Sequence, residues 1–205
     1  MKKVLLIGDS IRVGYDKAVK KSLEGKVDVY FPDENCRFAC YVLRYLNEYQ
    51  YLSSDGKFDI VHWNAGHWDT LRQYEEEPNT PIDIYAYYID RICARIKKLF
   101  PDAKVVFATS TRVTEGLPYR RNEDIRKYNA VAIEIVKKYG FLVNDLYAIS
   151  EDLPDEALSD DVHYYTPMGT EALSNAVISC ILRELNINEV ITYNEELHTD
   201  TPVGY

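Results

Sequence analysis

Short apolar runs alternate with amphipathic segments along almost the whole chain, and this alternation restricts the fold more than any other feature. Lys3 to Ile7, Val27 to Phe31, Asp59 to Trp63, Lys104 to Thr109 and Phe141 to Val143 each read as strands apolar enough to be buried on both faces. Helical spacing runs over Ile11 to Leu23, Phe38 to Tyr49, Ile82 to Leu99, Asn122 to Tyr139 and Pro167 to Leu185. The stops are legible. Phe100-Pro101 ends the third helix, Tyr139-Gly140 the fourth, and Thr166-Pro167 caps and opens the last. The pattern predicts an α/β domain with a mostly parallel five-stranded sheet, right-handed crossovers and helices on both faces. The irregular stretches Thr70 to Pro81, with its Glu75-Glu76-Glu77, Ser110 to Tyr119 and Ser150 to Tyr165 should lie over the carboxyl ends of strands, where open α/β sheets bind ligands. Residues 1–188 read as one domain, and 189–205 as a polar C-terminal tail or an added edge strand around Val190 to Tyr193 followed by a loose end.

At 205 residues, 46% of them hydrophobic, the chain suffices for one well-cored domain. A formal net charge of -9 disfavours nucleic acid and an anionic membrane face, which need clustered Lys and Arg. Lys2-Lys3 is followed by only four apolar residues before Gly8, too few for a signal segment, and no window has the length of a membrane-spanning helix. Cys36, Cys40, Cys93 and Cys180 lack metal-ligand spacing and read as reduced, mostly buried thiols of a cytoplasmic protein, although a removed export signal would leave the same start. The four histidines show no paired ligand spacing and Gly8 to Gly14 lacks the pattern of a phosphate loop, so no metal or cofactor is expected.

Two fragments carry chemistry. Gly8-Asp9-Ser10 follows the first apolar run, and Asp160-Asp161-Val162-His163 precedes the last helix. Each alone is bland: a serine there is more often a helix cap, and Asp-x-x-His is usually a solvated loop pair. Together they supply a hydroxyl, a base, and a carboxylate to orient the base. Ser10 would be the nucleophile, His163 the base and Asp160 the acid, with Asp161 competing for the last role. Asp9 reads as a turn-holding residue.

The chain thereby resembles the SGNH or GDSL-type serine hydrolases, whose first block ends in Gly-Asp-Ser and whose last contains Asp-x-x-His. The match runs from residue 4 to about residue 170. The resemblance implies a three-layer flavodoxin-like fold and ester hydrolysis through a serine acyl-enzyme. It also implies an oxyanion hole, in which the Ser10 N–H is one donor. In the second block, where the family has a glycine N–H, this chain reads Glu34-Asn35-Cys36-Arg37-Phe38, and Arg37, or else Cys36, would supply that donor. The third block, Gly66-His67-Trp68-Asp69, carries tryptophan in place of the family's asparagine. Asn64 is then the expected amide donor, with His67 or the Trp68 indole as others, unless Asn64 merely caps the turn.

Arg12 and Arg37 fall near the serine, and Arg112, Arg120 and Arg121 on or beside the loop after the fourth strand. They would steer an anionic substrate or, more blandly, pair with neighbouring acids. Arg12, His67 and Trp68 are the expected substrate contacts, the indole stacking on a sugar ring; Trp63 and the helically spaced Tyr85 and Tyr88 read as packing. The reading is an esterase removing a small acyl group, such as acetyl, from a carbohydrate or other polar alcohol. Its rivals are a thioesterase or acyltransferase using the same acyl-enzyme, and a non-catalytic flavodoxin-like binding protein.

Overall fold

A computed structural model describes residues 1–74 and 77–193 of the chain. Glu75, Glu76 and the tail beyond Tyr193 lie outside the described residues. Five parallel strands, β1 (Lys2–Ile7), β2 (Val27–Tyr30), β3 (Ile60–Trp63), β4 (Lys104–Ala108) and β5 (Leu142–Asn144), form one sheet in the order β2-β1-β3-β4-β5. Helices α1 (Ser10–Ser22), α2 (Ala39–Tyr49), α3 (Ile82–Leu99), α4 (Asn122–Lys138), α5 (Leu146–Glu151) and α6 (Pro167–Leu185) cover it. This is the expected three-layer flavodoxin-like α/β architecture, with strand boundaries within a residue or so of the predicted ones.

The two-residue period of the strands divides the interior into two cores. Val4, Leu6, Ile60 and Val106 face α1 and α6, while Leu5, Ile7, Val61, Trp63 and Phe107 face α2, α3 and α4. Trp63 is a core residue, edge-on to Phe107 at 4.9 Å. β1 is central and buried on both faces from Val4 to Ile7, which is why it reads as an unbroken apolar run. β2 and β5 differ from the sequence reading. They are edge strands, β2 alternating buried and half-buried residues and β5 leaving Leu142 38% exposed.

The strand order reverses between β1 and β3, since α1 leads from β1 to one side and the later crossovers lead to the other. That reversal opens a crevice at the strands' carboxyl ends. Ser10 leaves β1 on one side of it, and residues 64–69 leave β3 on the other.

Two local readings need correction. The short helix α5 went unpredicted because six residues show no periodicity, although Asp145 caps it by accepting the Ala148 N–H at 3.2 Å. Val190 to Tyr193 form no strand; Tyr193 is buried against α6, exchanging backbone hydrogen bonds with the Asn175 amide at 2.7 and 3.1 Å. No helix among the described residues is long and apolar enough to cross a membrane.

Candidate active site

Asp9 caps α1, its Oδ1 accepting the Ile11 N–H at 3.0 Å, so Ser10 becomes the first residue of the helix. The Ser10 N–H, an orphan donor of that first turn, makes no hydrogen bond among the described residues. Flanking loops are tied to the same turn: the Gly8 carbonyl accepts the Cys36 N–H, and the Ile7 carbonyl the Asn64 N–H, both at 3.0 Å.

His163 reaches the serine from a tight loop before α6. Asp160 Oδ1 accepts the backbone N–H groups of Val162 and His163 at 2.8 Å each, which bends the chain until the imidazole meets the other carboxylate oxygen. Nδ1 of His163 then lies 2.8 Å from Asp160 Oδ2, and Nε2 lies 2.9 Å from Ser10 Oγ. The structure brings Ser10, His163 and Asp160 together in the order base catalysis requires. Asp161 faces elsewhere, its Oδ2 accepting the Tyr119 hydroxyl at 2.6 Å. Partial burial alone would raise the Asp160 pKa, but the two N–H groups and the imidazole outweigh it and hold the carboxyl below its ordinary value.

Tyr165 was not found in the sequence. Its ring stacks on His163 with centroids 4.7 Å apart, and its hydroxyl donates to the Ser10 carbonyl at 2.8 Å. The available signal was Gly14, inside α1, where glycine is costly. A Cβ there would come within 2.6 Å of the Tyr165 ring.

Other expected site residues are placed differently. Arg12 is buried, paired with Asp16 on its own helix and donating to the carbonyls of Pro32 and Glu34, so it fastens the second block and meets no substrate. Arg37 adopts a left-handed φ of 43°, a backbone conformation that favours glycine. Its N–H is taken by Asn35 Oδ1 at 2.9 Å, so it is not free for an oxyanion. Asn64 is buried with its amide against Asp9 and its Oδ1 against Gly8, in the turn-supporting role. His67 is fully buried, its Nε2 3.1 Å from Thr111 Oγ1, and offers no surface to a substrate. Burial, then the charges of Arg120 and His163, hold its pKa well below the ordinary value, so the ring is neutral. Trp68 is half-buried, edge-on to Phe38 at 5.5 Å, and its indole N–H is unbonded among the described residues. Arg112 donates to the carbonyls of Ser150 and Leu153 and pairs with Asp155, holding its loop.

Asp69 fastens the second block to the third. Phe38 gives α2 no side-chain cap, and the Asp69 carboxyl accepts the Ala39 N–H at 3.0 Å instead. Burial pushes this carboxyl up to about 7, against the opposing pull of Thr80 and the Ala39 N–H, with the charge of Asp9 adding to the rise. A pKa raised by folding favours the protonated native state. The stability it contributes is present below the ordinary carboxyl range and is lost as pH rises through about 7. Urea unfolding of wild type and Asp69→Asn should therefore shift in favour of the variant from about pH 5 to about pH 7.5; a difference independent of pH would mean that Asp69 is ionised throughout.

Cavities of about 860 Å³, beside Lys17, Lys20 and Val27, and about 760 Å³, beside Lys3 and Phe58, open at the other end of the sheet. Neither includes a triad residue, and the strand-end crevice is where the polar groups converge.

The fold is shared with several hydrolase structures. A lipase/acylhydrolase from Enterococcus faecalis superposes with a TM-score of 0.72 at 21% identity, covering 88% of this chain and 95% of that one. The acetyl xylan esterase AlAXEase gives 0.72 at 17% identity, covering 87% and 99%. Axe2, an acetylxylan esterase from Geobacillus stearothermophilus, gives 0.67 at 20% identity, covering 91% and 95%. No protein-family model and no curated protein sequence matches the chain. At these identities the likeness is one of fold, and it is the three-layer α/β fold that the Gly-Asp-Ser and Asp-x-x-His blocks imply.

Proposed function

We propose that this chain is a serine esterase of the SGNH type that removes a small acyl group, such as acetyl, from a carbohydrate or other polar alcohol. The observation that carries the reading is the hydrogen-bonded series from Asp160 through His163 to Ser10, with links of 2.8 and 2.9 Å, at the crevice where the sheet order reverses. His163 Nε2 takes the Ser10 proton as Oγ attacks the ester carbonyl, and Asp160 holds the Nδ1–H and stabilises the imidazolium. The carbonyl electron pair moves onto oxygen, where the Ser10 N–H donates to it. With the Arg37 N–H held by Asn35 and the buried Asn64 packed beside Asp9 and Gly8, the donor we assign to the second position is the Trp68 indole N–H. Collapse returns that pair, breaks the bond to the alcohol oxygen, and passes the His163 proton to the departing alkoxide. Water then repeats the sequence on the acyl-enzyme, releasing the acid and free Ser10.

Support for a small acyl group comes from structural neighbours that include acetyl xylan esterases. The test is turnover of aryl acetates, longer-chain esters and thioesters by wild type and Ser10→Ala. The acetate should be the best substrate and the variant inactive with a nearly unchanged thermal midpoint. Undiminished turnover by Ser10→Ala would sink the mechanism, and a preference for thioesters would move the chain to the thioesterase class.

A further inference from the structure

Arg120 is half-buried beside the third block and closes no ion pair among the described residues. Its Nε donates to the His67 carbonyl at 3.0 Å, which fixes the half-buried side chain beside the third block. Of the other buried or half-buried arginines, Arg12, Arg72 and Arg112 close ion pairs with Asp16, Asp124 and Asp155, while Arg95 donates to the Leu43 carbonyl. No Asp or Glu among the described residues pairs with Arg120. Its terminal nitrogens make no hydrogen bond among the described residues and are not sealed from solvent.

The nearby acids do not pair with it. Asp9 is buried under the serine turn, its Oδ1 accepting the Ile11 N–H and its Oδ2 making no hydrogen bond among the described residues. Asp160 holds His163 and two backbone N–H groups, and Asp161 takes the Tyr119 hydroxyl. The charges of Asp9 and Asp160 act on the guanidinium from the triad side, yet burial outweighs them and pulls its pKa below the ordinary arginine value. A cation held at that cost, with a fork of free N–H groups at the rim of a reaction crevice, matches a carboxylate or phosphate brought by a ligand.

We propose that Arg120 is a specificity-determining residue that binds an anionic group of the substrate, so that the preferred ester carries a carboxylate or similar anion on its acyl or its alcohol part. This rests on the esterase reading of the neighbouring triad for the word substrate; the anion site itself rests on Arg120 alone.

Binding separates the two readings, because it needs no turnover. Succinate, standing for an anionic acyl part, and 3-hydroxybenzoate, standing for an anionic alcohol part, are titrated calorimetrically into full-length wild type, Arg120→Lys and Arg120→Met. At least one anion should bind wild type and lose about tenfold or more in affinity in Arg120→Met, with Arg120→Lys between them. Which anion is affected identifies the part of the substrate that is held. If neither binds more weakly to Arg120→Met than to wild type, the proposal is overturned.

Hydrolysis supplies the matching pattern. For the identified part, KM should rise in Arg120→Met for the charged ester (4-nitrophenyl hydrogen succinate or 3-acetoxybenzoate) and stay near wild type for its neutral counterpart (4-nitrophenyl butanoate or phenyl acetate). Equal losses on charged and neutral esters would show that Arg120 only steadies the His67 loop, and would overturn its role in specificity. Anion binding without any ester turnover would retain the site and overturn the esterase reading.

Discussion

His163→Ala is expected to lower kcat for an aryl acetate by about a thousandfold or more while leaving the thermal midpoint close to wild type. The imidazole is the base within hydrogen-bond reach of Ser10 Oγ, and its side chain is 20% exposed in a surface loop, so truncation removes the proton acceptor without opening a core cavity. Asp160→Asn should follow at roughly a hundredfold or more, because an amide turned to donate toward Nδ1 favours the wrong imidazole tautomer. Asp161→Asn should stay near wild type, since that carboxylate serves the Tyr119 hydroxyl. Steady-state kinetics on the three variants decides the assignment. A larger loss at Asp161 than at Asp160 would move the acid by one residue.

Gly8→Ala should destabilise the fold by about 3 kcal/mol, which for a domain of this size lowers the thermal midpoint by roughly 6–12 °C. A Cβ at Gly8 would stand 1.8 Å from Asn64 Oδ1 and 2.8 Å from Arg12 Cβ. Neither neighbour can retreat: Arg12 is fixed by Asp16 and by the carbonyls of Pro32 and Glu34, and Asn64 is buried against Asp9. Because Gly8 begins the turn that presents Ser10, activity should fall as well. Adding Asn64→Ala to Gly8→Ala should recover part of the stability, a coupling expected of groups in direct contact. Calorimetry showing strictly additive losses would mean that the clash is relieved elsewhere.

What the sequence disclosed tracks how local the determining physics is. α3 and α6 have their predicted ends because Pro81, Phe100-Pro101, Thr166-Pro167 and the left-handed Asn186 act within a turn of each boundary. The Asp160-His163 pair was legible for the same reason, three residues and two backbone N–H groups being enough to form it. Ser10 needed only a strand end and the Asp9 cap.

Side-chain allegiances across the fold were not legible. Asn64 turned to Asp9 because Gly8 leaves room for its oxygen, a fact of packing between β1 and β3. Arg37 lost its N–H to Asn35, and nothing in an arginine announces the left-handed backbone it adopts there. Arg12 carried a readable warning in Asp16, four residues on along the same helix. Arg120 carried none, since its isolation is defined by what Asp9, Asp160 and Asp161 are doing elsewhere.

The central claim is that His163 and Asp160 make Ser10 a nucleophile, and a fluorophosphonate probe tests it most directly. Intact-mass and peptide analysis of full-length wild type should show one stoichiometric adduct, located on Ser10, greatly slowed in His163→Ala and absent in Ser10→Ala. No adduct on wild type, or one that persists in Ser10→Ala, would contradict the account.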